Sequence, residues 1–98
     1  MINPGNGELV GTVADVTEAE TRRAIEAASA AFDGWRALTA NQRSAILRNW
    51  YQLIMENQED LAQLMTHEMG KPINEARGEA AYGASFVEWY AEEGRRAY

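Results

Sequence analysis

The sequence has no cysteine. Disulfides, zinc–thiolate centres and a thiol nucleophile are therefore excluded within these residues. Its one histidine, His67, cannot build a multi-histidine metal site. Basic residues are in deficit: 9 Lys and Arg against 15 Asp and Glu give a net charge of −6. Without a basic stripe, phosphate neutralisation fails, so a nucleic-acid partner is not expected. No apolar run approaches the ~18 residues of a membrane span, so no membrane partner is expected either. The N-terminus MINPGNGELV lacks the basic start and apolar core of a leader. A cytoplasmic location is the resulting expectation. At 98 residues the chain makes one domain at most.

Helix signals dominate what is present. Residues 2–16 read as a short hairpin or extended arm. Asn3-Pro4-Gly5-Asn6-Gly7 is rich in turn formers, and Val10, Thr12, Val13 and Val16 favour a strand. That strand has no obvious partner. Thr17-Glu18-Ala19-Glu20 and Thr39-Ala40-Asn41-Gln42 are capping boxes that open two helices. The first is predicted to bury Ile25, Ala28, Phe32 and Trp35; the second, Ile46, Leu47, Trp50, Leu53 and Ile54. Asn57 is read as an N-cap at a kink or new helix, followed by the acids Glu59 and Asp60. Gly70 and Pro72 stop that helix. The last helix is expected from about Ile73 to the end. Ala76, Ala80, Gly83, Val87 and Ala91 form one face, and Tyr82, Ser85, Phe86 and Trp89 an adjacent one. Gly78 and Gly83 suggest close approach of another backbone. A helix apolar on two faces is predicted to be buried. The fold class is thus mainly α: a short N-terminal hairpin or arm and three to four helices, with no sheet of its own.

No catalytic constellation emerges from these residues. Gly70-Lys71-Pro72 is preceded by a helix and followed by proline, so it reads as a helix stop, not a phosphate loop. His67 and Glu68 point about 100° apart on a helix. The Glu75, Glu79, Glu88, Glu92 and Glu93 carboxylates read as solvent-facing, with Arg77, Arg95 and Arg96 as local ion-pair partners.

The order of short motifs is more telling. Asn3-Pro4, Gly7-Glu8, Gly11-Thr12-Val13, Trp35, Arg43, Ile46-Leu47, Glu56-Asn57, Leu61-Ala62 and Glu68-x-Gly70-Lys71-Pro72 run in that order. The pattern resembles the N-terminal part of the aldehyde dehydrogenase superfamily. Glu75-Ala76-x-Gly78-Glu79 and the run from Tyr82 to Glu93 are most similar to bacterial succinate-semialdehyde dehydrogenases. The resemblance implies an α/β parent fold with a Rossmann-type cofactor domain. It also implies NAD(P)⁺-dependent oxidation of an aldehyde through a cysteine thiolate, and a homodimer or homotetramer. Residues 1–98 would be the N-terminal helical part of the cofactor-binding domain, truncated at both ends. The remainder of the parent subunit is then the expected partner. The family's cysteine, general base, oxyanion asparagine and NAD or NADP site are not matched, so this chain alone is expected to be inactive and to bind no cofactor. Two assignments carry over. Tyr82, Ser85 and Phe86 match a helix flanking the aldehyde entrance tunnel. Glu68 matches a position near a structural monovalent-cation site, through its main-chain carbonyl. The alternatives are a stand-alone helical interaction module, or another subfamily acting on glutarate semialdehyde or a betaine aldehyde.

Overall fold

Two threonines fix where the helical part begins. A computed structural model describes residues 1–96, with helices α1 (Glu18–Ala37), α2 (Ala40–Glu56), α3 (Gln58–Met69) and α4 (Ile73–Glu93). Thr17 receives the Glu20 N–H at 3.3 Å and gives its own N–H to the Glu20 carboxylate at 2.7 Å. Thr39 and Gln42 repeat the exchange at 3.2 and 2.9 Å. Both predicted capping boxes are therefore complete. Gly70 closes α3 in the left-handed region at φ 76°, as expected of a C-terminal glycine. A side chain there would be strained, and Pro4 Cγ lies 3.5 Å from where its Cβ would sit.

Of the two expected forms, hairpin or extended arm, the N-terminal segment takes the arm, with one bridge in place of a ladder. A single antiparallel bridge joins Ile2 to Leu9, so Met1 and Ile2 supply the partner that the sequence reading missed. Asn3 N–H donates to Glu8 O at 2.9 Å, and Val10 N–H to Met1 O at 3.1 Å. Pairing stops there, and residues 12–16 run on exposed rather than as a strand. Two residues before the turn are too few to pair the whole Leu9–Val16 run.

Packing centres on α4, which lies against both α2 and α3. Its buried residues are Ala76, Ala80, Ala84 and Ala91, with Val87 half-buried between them. Ala84, not Gly83, occupies the seam; Gly78 and Gly83 have open space where a Cβ would be added. The buried set is completed by Ala62 of α3 and Ser44 of α2. Tyr82, Phe86 and Trp89 point away from the seam and are exposed. One face of α4 is buried here, not two. On α2, Leu47 and Ile54 are half-buried, whereas Ile46, Trp50 and Leu53 are exposed.

α1 departs furthest from expectation: none of its residues is buried, and no other helix packs extensively on it. Ile25 and Phe32 are 66% and 58% exposed. The molecule is a slab of 51 × 36 × 17 Å with a radius of gyration of 17.3 Å. A globular chain of about 100 residues would have a radius near 13 Å. Asn57 also changes role. Its side chain donates to Leu53 O at 2.8 Å, so it closes α2 and gives α3 no side-chain cap. Finally, α4 ends at Glu93, before Gly94, not at the chain end; Ala97 and Tyr98 lie outside the described residues.

Three ion pairs tie α4 and its leading loop together across the sequence. Arg48 of α2 pairs with Glu92, and Lys71 with Glu79. Arg77 reaches Glu59 of α3 at 2.7 and 2.9 Å, while Gln58 donates to the Arg77 carbonyl at 2.9 Å. Glu79 is solvent-facing as read, although paired; Glu92 is half-buried, and Arg77 pairs across to α3 instead of locally. Arg95 and Arg96 do pair locally, with Glu92 and Glu93.

Two outcomes follow for stability. Ala80→Leu overfills the seam and is expected to cost about 1–3 kcal/mol. Gly83→Ala meets no neighbour and is expected to gain about 1 kcal/mol. Urea midpoints check both, and a destabilising Gly83→Ala would contradict the open face. The second outcome concerns acid. Hydrogen bonds from Arg77 and then Gln63 hold the Glu59 carboxyl down to about 2, from an ordinary 4.5. A lowered carboxyl favours the folded state above pH 4.5, and that contribution disappears as pH falls from 4.5 toward 2. The thermal midpoint should drop across this window, and Glu59→Gln should flatten part of the drop. An identical profile in the variant would place the acid sensitivity elsewhere.

Candidate functional site

The outer face of α4 carries an aromatic stripe with a groove beside it. Tyr82 and Phe86 are one turn apart. Their rings meet edge to face, with centroids 4.9 Å apart and planes at 80°. Such a contact restrains both rings at the helix surface. Ser85 stands between them, but its hydroxyl donates back to the Tyr82 carbonyl at 2.7 Å. That bond uses the proton a nucleophile would have to lose, and no general base is hydrogen-bonded to it.

Downstream, an open groove of about 520 Å³ is lined by Ser85, Phe86, Glu88, Trp89, Glu92, Glu93 and Arg96. Sequence reading placed Ser85, Phe86 and Trp89 on this face but missed Glu88, Glu92, Glu93 and Arg96 as its wall. Their signal was present, since they continue the same three- and four-residue spacing from Ser85. The wall is acidic, and its charges are partly neutralised. Arg48 holds the Glu92 carboxyl below its usual range by hydrogen bonding. Arg96 bonds Glu93 at 2.6 Å. Chemically, the groove offers aromatic surface and fixed carboxylates, and no nucleophile–base pair.

Glu68 is not near this groove. It sits exposed in the last turn of α3. Its carbonyl is among the last of α3, beyond the Thr66 carbonyl that Gly70 N–H satisfies, so it has no intrahelical donor. Among the described residues, no three His, Cys, Asp or Glu side chains come together to hold a metal. His67 lines a separate surface hollow of about 280 Å³ with Asn3, Asn6 and Glu8. Lys71 follows a left-handed helix cap and pairs with Glu79, which leaves no phosphate loop at Gly70-Lys71-Pro72. None of the described helices is long and apolar enough to cross a membrane.

Comparison with known proteins is consistent along the whole chain. The sequence model of the aldehyde dehydrogenase family matches residues 1–98. A glutarate-semialdehyde dehydrogenase of Pseudomonas putida is 62% identical over all 98 residues. The NADP(+) succinate-semialdehyde dehydrogenase GabD of Escherichia coli is 58% identical over the same span. The chain covers 20% of the length of each. A crystal structure of succinate-semialdehyde dehydrogenase from Burkholderia pseudomallei superposes with a TM-score of 0.94 at 56% identity. That match takes in 99% of this chain and 20% of the solved one. Sequence and backbone agree from the arm to the last helix: the chain belongs to the aldehyde dehydrogenase family.

Proposed function

We propose that this segment serves an NAD(P)⁺-dependent aldehyde dehydrogenase that oxidises succinate semialdehyde to succinate. Within it, residues 1–98 form the N-terminal helical part of the cofactor-binding domain. The observation that carries the reading is the whole-length match to enzymes named for short semialdehydes that end in a carboxylate. The whole subunit acts in the cytoplasm as a homodimer or homotetramer, with the remaining polypeptide as this segment's partner.

Tyr82, Ser85 and Phe86 border the path by which the aldehyde enters. Their aromatic walls suit the methylene chain of the substrate. Its carboxylate needs a cation or N–H donors, and Glu88, Glu92 and Glu93 repel it. Arg96, the cation in the groove lining, is engaged by Glu93, so the group that binds the carboxylate belongs to other parts of the subunit. The same holds for the dinucleotide: the glycines here form turns and a helix cap, not a phosphate cradle, and no step is assigned to this segment through the cofactor. Glu68 contributes one main-chain carbonyl to a monovalent-cation site whose other ligands lie elsewhere.

Glutarate semialdehyde is the second reading, supported by the 62% identity to the Pseudomonas putida enzyme. The two substrates differ by one methylene, worth about 1–3 kcal/mol in a fitted pocket. A small displacement of the tunnel wall is enough to exchange them.

With no cysteine, the chain by itself should reduce neither NAD⁺ nor NADP⁺ with any aldehyde. A whole subunit carrying it should oxidise succinate semialdehyde with higher kcat/KM than glutarate semialdehyde or acetaldehyde. Reversal of the first two would select the five-carbon substrate. Phe86→Ala in that subunit should raise KM about three- to tenfold, the equivalent of one aromatic contact, while kcat changes less. Unchanged KM in both Phe86→Ala and Tyr82→Ala would remove these residues from the tunnel.

A further inference from the structure

We infer that Asn6 is a site of spontaneous deamidation, and that the hydrogen-bonded turn of the N-terminal arm sets its rate. The inference does not depend on which aldehyde is oxidised.

Asparagine is a chemically labile residue. The chain has six, and only Asn6 is followed by glycine. Cyclisation needs the next backbone nitrogen to reach the side-chain Cγ, and a side chain on that next residue obstructs the approach. Gly7 has none, and nothing lies within 4 Å of where its Cβ would be. Both residues are exposed. The other five asparagines are disfavoured by place. Asn3 precedes Pro4, whose nitrogen has no proton to give up. Asn41, Asn49 and Asn74 lie within α2 and α4, where helical backbone turns the following nitrogen away from the side chain. Asn57 gives its side-chain N–H to Leu53 O at 2.8 Å and precedes Gln58.

The reaction needs only water. The Gly7 nitrogen bonds to Asn6 Cγ, the Cγ–Nδ2 bond breaks, and Nδ2 leaves as ammonia with the former Gly7 amide proton. Water then opens the five-membered imide at either carbonyl, leaving aspartate or isoaspartate at residue 6.

In the folded arm three hydrogen bonds oppose the first step. Gly7 N–H donates to Asn3 O at 2.8 Å, so the attacking nitrogen holds its proton against an acceptor. Asn6 Nδ2 donates to Glu8 Oε2 at 2.8 Å, and Asn6 Oδ1 accepts Glu8 N–H at 3.0 Å, which fixes the amide against Glu8. A single bridge, Ile2 to Leu9, closes this exposed turn. So short a pairing opens at little cost. Attack proceeds from the open arm, and the turn slows the reaction without preventing it.

The product cannot rebuild the turn. A carboxylate at residue 6 has no N–H for Glu8 Oε2 and sets a second negative charge beside it. It stands in the hollow that Asn3, Asn6 and Glu8 share with His67. Isoaspartate also adds one carbon to the main chain between Asn3 and Glu8, whose N–H···O bond spans the turn. The arm, which lies near Gly70 through Pro4, is loosened, while the alanine seam of α4 is untouched.

Peptide mapping by mass spectrometry tests this on the whole chain, aged at mildly alkaline pH with and without urea. Asn6 is expected to gain about 1 Da before any other asparagine, as a mixture of aspartate and isoaspartate. The gain should be about tenfold slower without urea, because only the open arm reacts. Val10→Pro removes the N–H that Val10 gives Met1 O at 3.1 Å, and should bring the native rate toward the urea rate. Glu8→Ala should also accelerate it, and Glu8→Gln, which keeps an acceptor for Nδ2, should do so less. Asn6→Asp should speed amide exchange at Asn3, Gly7 and Val10, with α2–α4 still protected. An earlier gain at another asparagine, or none at Asn6, would overturn the site. Equal rates with and without urea would overturn the control by the turn, and that comparison uses the unaltered chain, so it stands even where a variant fails to fold. Arm exchange unchanged by Asn6→Asp would overturn the loosening.

Discussion

Close approach of α4 to α2 and α3 is possible because its inner residues are alanines. Ala76, Ala80, Ala84 and Ala91 recur every four or seven residues along one face. Small side chains let helix axes come near one another, and the distance between axes depends on the residues at the contact. Each alanine removes little apolar surface from water, so the seam needs help. It comes from polar ties along its length: Arg48–Glu92 near one end, Arg77–Glu59 and Gln58 near the other. These pairs are largely exposed and individually weak. Their use is in register, since each fixes one point of α4 against a different helix. With the inside given to alanine, the aromatic residues are left to the outside.

The same division explains what was legible in the sequence. Both capping boxes and the Gly70-Pro72 stop are exchanges among residues four or fewer apart, and they stand as written. Family membership was legible too, because many weak motifs kept their order. Burial was not. The stripe of α1 has the periodicity of a buried helix, and periodicity cannot say whether the surface to be covered lies within these residues. Gly83 and Ala84 are neighbours on the helix, and a rotation of one residue decides which meets α2 and α3. Arg77 and Glu59 are 18 residues apart, and Arg48 and Glu92 are 44 apart. Nothing local announces either pair. Asn57 was misread because an asparagine side chain can serve the helix before it as well as the one after.

The candidate site inherits this geometry. Sequence reading found Tyr82, Ser85 and Phe86 through resemblance, and the helix repeat extends that face to Trp89 and Arg96. The carboxylate wall shares that spacing from Ser85, but spacing alone does not show that a groove lies beside it. α1, the outer face of α4 and the outer face of α2 are three apolar surfaces on a slab 17 Å thick. A layer this thin suits incorporation into a larger body better than life as a globule.

Alanine has no rotatable side chain, so the seam has no alternative rotamers with which to answer a change nearby. Substitutions on the aromatic side of α4 thus meet an inner face that stays in register. The helix has one side with no side-chain torsions to rearrange and another, with Tyr82, Phe86 and Trp89, whose side chains can turn without disturbing the seam.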